Sequence, residues 1–193
     1  MTIEHPLGRR ERKKAATRQA IADAALELFL QSGFNGVSIK DVADKADVST
    51  TTIFKHFPSK ESLLFDRDDD FEVELAAAVR ERPPGLSILD ALRAHALEAW
   101  VPIAADPRLE KLTALVEQTP ALRDYSERMW SRYAAALAAV ISEEIGRPAD
   151  DLASAALARF VVQVPILAKN RENARQAVET VFDILAHGWE PQS

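Results

Sequence analysis

Two helix-capping sequences follow one another between residues 37 and 57, and they constrain the fold more than any other feature of the chain. In the first, Ser38 is followed three residues later by Asp41, which is the spacing of a capping box. Val37 and Val42 occupy the two positions of a hydrophobic staple across that cap. The pattern predicts a short helix that begins directly after Ser38.

The second cap is Ser49, which comes directly after a tight turn. Val48 and Ile53 form its hydrophobic staple. Residues 50–53 are β-branched, and propensity alone would favour a strand there. Because two caps and two staples agree, we predict a helix instead, and we expect it to end at Phe57-Pro58, since the residue before a proline leaves the helical region.

The rest of the chain also reads as helix. Glycine is scarce, with six in 193 residues, and no clear apolar–polar alternation persists for the length of a strand. A first helix is predicted from Thr17 to Ser32, with Gly33 as its stop. Beyond the third helix, prolines and capping residues divide the sequence into six longer helices that begin near residues 60, 87, 107, 120, 150 and 172. The predicted fold class is all-α, with about nine helices.

Charge is distributed unevenly along the chain. The net charge is −6, yet residues 1–60 hold ten Lys/Arg against seven Asp/Glu, while residues 61–193 hold fourteen against twenty-three. This asymmetry indicates a basic module fused to a larger acidic one. We expect a basic N-terminal arm over residues 1–16, a helix-turn-helix domain over residues 17–60 and a larger helical domain over residues 61–193. The arm and the start of the first helix carry Arg9, Arg10, Arg12, Lys13, Lys14 and Arg18, and they fit either a phosphate-binding segment or a solvated tail.

The predicted third helix has two chemically different faces. At about 100° per residue, Ile53 and Phe57 fall on one side. The opposite side and its margins carry Thr50, Thr51, Thr52, Phe54 and Lys55. Small hydroxyl groups allow close approach to base edges and phosphates, and a lysine can reach a guanine or a phosphate. The helix starts at Ser38 and Ser49 also offer backbone N–H groups to phosphate oxygens. These features favour double-stranded DNA as a partner over a purely structural helical hairpin.

Four stretches within Thr17–Leu64 agree in order and spacing with a known family pattern: Ala24-Ala25-Leu26-Glu27-Leu28-Phe29, Gly33-Phe34, Val37-Ser38-Ile39-Lys40-Asp41-Val42-Ala43 and Val48-Ser49-Thr50-Thr51-Thr52-Ile53-Phe54-Lys55-His56-Phe57-Pro58-Ser59-Lys60. This segment resembles the N-terminal domain of TetR-type transcriptional repressors, the tetracycline-repressor family. The rest of the chain fits the family in length and helical character.

The resemblance implies a role for each matching residue. Ser38 and Lys40 stand where the second helix meets the DNA backbone. Base contacts are implied for Thr50, Thr51 and Lys55, and phosphate contacts for Thr52, His56 and Lys60. Phe54 stands where tyrosine is common, so a phenol-to-phosphate hydrogen bond is missing. Asp47 and Thr51 replace glycines that are common in the family, and aspartate tolerates a left-handed turn.

The resemblance also implies that the last two helices pair with their copies in a homodimer. The sequence agrees, because the eighth helix is apolar over most of its circumference and must be covered on both sides. A large internal core is the alternative cover. The residues expected in the dimer interface are Leu157, Phe160, Val161, Val164, Val178, Val181, Phe182 and Leu185.

A small-molecule pocket in the larger domain is the third implication. Polar and aromatic side chains on apolar helix faces could orient an effector there, although such residues are also typical of an ordinary core. The candidates are His95, Trp100, Tyr125, Trp130, Tyr133, Arg159 and Gln163. The many alanines leave room for a bulky apolar or aromatic effector. We expect the fourth helix, as the covalent link between the two domains, to transmit its binding.

Other classes of protein find little support. The chain has no cysteine, its four histidines lack metal-ligand spacing, and no phosphate loop or nucleophile elbow is present. We therefore expect neither an enzyme nor a cofactor. No segment has the apolar length of a signal peptide or membrane helix, which favours a cytoplasmic location without a membrane partner. The prediction is a ligand-responsive repressor that binds an inverted-repeat operator as a homodimer, and a helical protein–protein interaction module without DNA binding is the alternative.

Overall fold

The computed structural model describes residues 8–65, 68–169 and 171–188, and these residues form nine α-helices and no strand. The helices are α1 (Arg9–Ser32), α2 (Ile39–Lys45), α3 (Thr50–His56), α4 (Asp68–Arg80), α5 (Ile88–Ala104), α6 (Leu109–Gln118), α7 (Pro120–Glu144), α8 (Leu152–Ala168) and α9 (Ala174–His187). A 3₁₀ turn, Glu61–Leu63, stands between α3 and α4. The all-α prediction is confirmed. The chain divides into two compact units.

The first unit holds α1, α2, α3 and the 3₁₀ turn, together with Leu115–Leu122 from the end of α6 and the start of α7. Its core is formed by aromatic and branched side chains, among them Ile21, Phe29, Phe34, Val42, Ile53, Phe57 and Leu63. Leu122 is fully buried in this core, and Leu115 and Val116 pack against it. The unit thus takes apolar side chains from a part of the chain that the sequence assigned to the larger domain.

The first helix begins at Arg9 and not at Thr17, so the predicted boundary was wrong. Residues 9–16 are arginine, lysine, glutamate and alanine, all of which form helix readily. The Glu11 carboxylate accepts a hydrogen bond from the Gly8 N–H at 3.0 Å, which satisfies one of the donors at the helix start. The described part of the predicted basic arm is therefore helical, while residues 1–7 lie outside the described residues.

The fourth helix begins at Asp68 and not at Lys60. The Ser59 hydroxyl accepts the Ser62 N–H at 3.2 Å, but the element that follows is a 3₁₀ turn whose N-cap residue is Lys60. Ser62 Oγ also donates to the Ser59 carbonyl at 2.7 Å. The tighter turn coincides with burial of Leu63 in the first unit's core. Residues 66 and 67, which the predicted helix included, lie outside the described residues.

The second unit contains α4, α5, α8 and α9 and the greater part of α6 and α7. Within it α5 packs against α4, α8 and α9, and α8 packs against α9. Ion pairs at the surface join separate segments of this unit, among them Arg80–Glu143 at 2.8 Å, Arg82–Glu144 at 2.7 Å, Arg93–Asp183 at 2.9 Å and Arg132–Glu72 at 3.3 Å. Because exposed ion pairs contribute little, the buried apolar side chains stabilise this unit.

Part of the predicted dimer interface on α8 and α9 is buried inside the single chain, so that part of the prediction was wrong. Four of the residues expected there are fully buried within the single chain: Val161, Val164, Val178 and Phe182. A side chain that is already buried in its own protomer cannot be covered by a partner. Leu157, Val181 and Leu185 are half-buried, and Phe160 is 58% exposed. The apolar circumference of α8 is therefore divided between an internal face and an outer one.

Candidate nucleic-acid interface and effector-binding residues

Local hydrogen bonds fix the turn between α2 and α3. Asp47 has a φ of 52° and is the one non-glycine residue with a positive φ in the described ranges. The Val48 N–H donates to the Ala43 carbonyl at 3.0 Å. Ser49 Oγ accepts the Thr52 N–H at 3.0 Å and lies 2.8 Å from Thr52 Oγ1. The predicted cap and the left-handed turn are both confirmed, so the sequence itself sets the direction in which α3 leaves the turn.

The two predicted faces of α3 are present. Ile53 and Phe57, the residue that directly follows α3, are fully buried in the first unit's core. The outward side chains are Thr50, Thr51, Phe54 and Lys55, all exposed. Thr52 is half-buried. Hydroxyl and ammonium donors on a short, firmly anchored helix can reach base edges in a major groove.

The start of α2 lies close to these residues in sequence and has its own closed hydrogen-bond ring. Ser38 Oγ accepts the Asp41 N–H at 3.1 Å, while the Asp41 carboxylate accepts from both the N–H and the hydroxyl of Ser38 at 2.7 Å. These hydrogen bonds lower the pKa of Asp41. The predicted capping box is confirmed, and the Ser38 hydroxyl is engaged in it. Lys40 is exposed beside this cap.

His56 lies at a positively charged junction between α1 and α3. Arg18 Nη1 donates to the His56 carbonyl at 2.9 Å, and the Arg18 guanidinium stacks 4.6 Å from the Phe57 ring centroid. Burial lowers the pKa of His56, and the charges of Lys14, Arg18 and Lys55 lower it further. The sequence analysis listed Lys14 and Arg18 only as members of a basic segment. In the structure, the packing of α1 places both near His56. Their spacing of four residues already indicated that they share one face of a helix.

Lys60 is not placed as a phosphate contact, contrary to the role that the resemblance implies. Its side chain is half-buried and its Nζ donates to the carbonyl oxygen of Phe34 at 2.5 Å. The ammonium also lies 4.2 Å from the Phe34 ring centroid and 5.7 Å from that of Phe29. Burial lowers the pKa of Lys60, against the opposing effect of Glu61 and Asp41. The ammonium group faces the protein's own turn.

Four of the seven predicted effector residues come together around one side chain that the sequence reasoning missed, Phe71. Its ring centroid lies 4.9 Å from Tyr133, 5.7 Å from Trp100, 6.0 Å from Trp130 and 6.4 Å from His95. The rings pack directly on one another, so the cluster forms an aromatic core. Within the described part of the chain, the buried Nε1 of Trp100 has no hydrogen-bond partner. The sequence offered one sign that Phe71 has a buried role, namely a large aromatic side chain standing within an acidic stretch.

The other three predicted effector residues lie on α7 and α8. Tyr125 is half-buried on α7. Arg159 is exposed on α8, and Gln163 is half-buried on the same helix. An exposed arginine cannot line an internal pocket in this arrangement, so Arg159 was wrongly placed in the effector set.

Neither a metal site nor a membrane span is found among the described residues. They hold no group of three or more histidine, aspartate or glutamate side chains that could bind a metal ion. None of their helices combines the length and the apolar character needed to cross a bilayer.

Comparison with known families accounts for both units. Residues 21–66 match the model of bacterial regulatory proteins of the tetR family, and residues 86–190, more than half of the chain, match the model of the MftR C-terminal domain. The protein belongs to the TetR family. It is a DNA-binding transcriptional regulator, and the family relationship points to a regulatory protein and not to an enzyme.

Individual TetR-family relatives extend over most of the chain. The regulator TcmR of Streptomyces glaucescens is 32% identical over 152 residues, which cover 75% of this chain and 67% of TcmR. The mycofactocin biosynthesis regulator MftR of Mycobacterium tuberculosis is 25% identical over 184 residues, covering 92% and 93% of the two chains. Among solved structures, FadR of Bacillus subtilis in complex with stearoyl-CoA is 20% identical, with a TM-score of 0.59 over 89% of this chain and 99% of FadR. That likeness confirms the TetR-family fold.

Proposed function

We propose that this TetR-family regulator represses transcription by binding an inverted-repeat operator as a homodimer, and that a bulky apolar or aromatic effector releases it. The observation that carries the proposal is the exposed face of α3. Thr50, Thr51 and Lys55 point away from the core on a helix whose buried side is anchored by Ile53 and Phe57. In this proposal Thr50, Thr51 and Lys55 contact bases, while Lys40 and His56 contact the DNA backbone.

The outer face of α8 and α9 supports the homodimer. Exposed apolar side chains on these helices are Leu152, Phe160, Ile166, Leu167 and Ile184. Phe160 and Leu167 are separated by two helical turns and lie on one side of α8. Large apolar side chains grouped on one face of a regulator are typical of a protein interface. A two-fold dimer presents two α3 helices and therefore calls for an inverted-repeat operator.

The aromatic core around Phe71 supports an effector site in the second unit. A buried polar group without a hydrogen-bond partner costs about 1–3 kcal/mol, and the indole N–H of Trp100 is such a group among the described residues. An effector that displaced one of these rings and offered a hydrogen-bond acceptor to Trp100 would remove that cost. FadR was solved with stearoyl-CoA, which makes this acyl thioester a reasonable first probe. Stearoyl-CoA should lower operator affinity, and Trp100→Phe should weaken that response.

The proposal is tested by fluorescence anisotropy with a duplex from the region upstream of the protein's own gene. Wild-type protein should prefer this duplex over a shuffled one. Lys55→Ala should reduce that preference by about 1–3 kcal/mol, since the variant has no ammonium group to bind a specific base. Lys111→Ala removes an exposed lysine from α6 and serves as the matched control, which should bind as wild type does. Equal preference in all three proteins would contradict the assignment of α3 as the reading helix.

A further inference from the structure

Lys60 makes a set of contacts unlike that of a surface lysine. It stands directly before the 3₁₀ turn, where the chain leaves α3. Its ammonium donates to the Phe34 carbonyl oxygen at 2.5 Å and lies over the rings of Phe34 and Phe29, which themselves pack with centroids 5.2 Å apart. A carbonyl oxygen and two aromatic faces together form a cation-binding cup built from the protein's own residues.

The cup joins two places that are distant in sequence. Phe34 belongs to the turn between α1 and α2, and the Ser38 cap that starts α2 follows four residues later. The same Phe34 carbonyl accepts a long hydrogen bond from the Val37 N–H at 3.5 Å. Lys60 therefore ties the exit of α3 to the turn that enters α2. The contact connects both ends of the α2–α3 pair.

A phosphate contact by Lys60 would require giving up all of these interactions. The ammonium would have to leave the Phe34 carbonyl and both ring faces and turn from a half-buried position to the solvent. The nearby exposed Lys40 faces no such cost. We propose that Lys60 is a positioning residue that holds the α1–α2 turn against the exit of α3, and that it does not bind the operator backbone. The inference refines the proposed operator binding, and its stability and spectroscopic tests do not depend on DNA.

The first test compares Lys60→Met, Lys60→Arg and the exposed control Lys40→Met. Each protein is unfolded with denaturant, and its DNA affinity is measured from low to high salt. Lys60→Met should lower the denaturation midpoint and weaken binding to the operator more than to an unrelated duplex, because a displaced α3 loses base contacts. It should leave the slope of log K against log[salt] unchanged. Lys60→Arg keeps a cation that can bond the carbonyl and stack on the rings, so it should restore most of the midpoint. Lys40→Met should instead reduce the slope by about 0.9 and keep the midpoint.

A second test needs no variant and so remains informative if Lys60→Met does not fold. The side-chain resonances of Lys60 in the wild-type protein should be shifted by the ring currents of Phe34 and Phe29. They should stay shifted when operator DNA is added. Unshifted resonances in the free protein, or loss of the shift on DNA binding, would overturn the inference. So would a Lys60→Met protein of unchanged stability whose salt slope falls by about 0.9. Failure of the wild-type protein to bind any operator would contradict the proposed function and leave the free-protein results as the test of Lys60.

Discussion

At the scale of single residues, His56 combines partial burial with three positive neighbours. Lys14 and Arg18 face it from α1 and Lys55 from α3. Each neighbour, and burial above all, disfavours the imidazolium in the free protein. A DNA phosphate placed at this junction would act in the opposite direction, because a negative charge favours the protonated ring. The protein would then take up a proton when it binds the operator.

We therefore expect operator affinity to rise as the pH falls from about 7.5 to 6, across the ordinary pKa of histidine. Stability without DNA should change the other way. The folded pKa of His56 lies below its unfolded value of 6.5, so the unfolded chain binds more protons in the window between them, and stability is lost as the pH falls through it. Anisotropy titrations and thermal unfolding over this range measure the two effects. His56→Gln should flatten both, and a pH-independent wild-type affinity would remove His56 from the phosphate contacts.

Asp47 adopts the left-handed conformation in the turn between α2 and α3, and this conformation limits which side chains the position tolerates. Asp47→Val should destabilise the protein by about 1–3 kcal/mol, because a β-branched side chain is strained at a φ of 52°. Asp47→Gly should keep or slightly raise the stability. Asp44→Val changes an exposed aspartate one turn earlier in α2 and should cost only a few tenths of a kcal/mol. Denaturant unfolding of the three variants provides the comparison, and equal losses in the two valine variants would contradict the turn's role.

Residues whose partners are close in sequence could be predicted, and those with distant partners could not. The caps at Ser38 and Ser49 bond to backbone groups three residues on, so their spacing alone revealed them. Lys60 bonds to a carbonyl 26 residues away, and no spacing rule indicates such a pair. The same holds for Phe71, whose ring partners come from α5 and α7. The sequence therefore indicated which side chains could face DNA or an effector. Whether such a side chain is instead occupied by contacts within the protein depends on packing between distant segments.

At the scale of elements, the N-terminal end of α1 presents basic side chains from a helix. Arg10 and Lys14 are exposed and lie one turn apart, and Lys14 faces the His56 junction. The double variant Arg10→Gln/Lys14→Gln should weaken binding to every duplex and reduce the salt slope by about 0.9 for each phosphate that is no longer neutralised. The control Lys111→Gln/Arg128→Gln removes two exposed cations from α6 and α7. An unchanged slope in the first variant would show that this end of α1 is only solvated.

The outer face of α8 leads to a prediction about assembly. Phe160→Glu should give folded monomers with much weaker operator binding, because its exposed ring is expected to be buried by a partner. Phe182→Glu places a charge in the protomer's own core and should instead unfold the second unit. Val73→Glu changes another exposed apolar residue, on α4, and should remain dimeric. Light scattering with thermal unfolding separates these results, and a dimeric Phe160→Glu protein would place the interface elsewhere.

Element boundaries were predictable only where a local signal marks them. The start of α7 at Pro120 and the Ser87 cap of α5 were predicted, since proline and serine signal helix starts on their own. The start of α1 was missed because Arg9 and its neighbours form helix without a strong serine or aspartate cap. The start of α4 was missed because burial of Leu63 favours a 3₁₀ turn after Ser59. Long-range packing decided the last of these boundaries.

At the scale of the whole molecule, α4 was expected to be the one covalent link between the two parts of the chain. That expectation was wrong, because Leu115–Leu122 belongs to the first unit, so the chain passes between the units before α4, within α6 and within α7. An effector bound in the second unit can bias the first only through differential affinity for two states of the protein. The coupling is reciprocal, so operator DNA must weaken effector binding by the same factor. All three connections are available to carry it.

The central claim is that α3 reads a two-fold symmetric operator. Hydroxyl-radical footprinting of the full-length protein on its own upstream region tests this most directly. We expect two equivalent protected half-sites, centred about 10 base pairs apart or a multiple of that distance. Lys55→Ala should lose the pattern at protein concentrations where Lys111→Ala retains it. Uniform protection without preferred positions, or an identical footprint from Lys55→Ala, would contradict the claim.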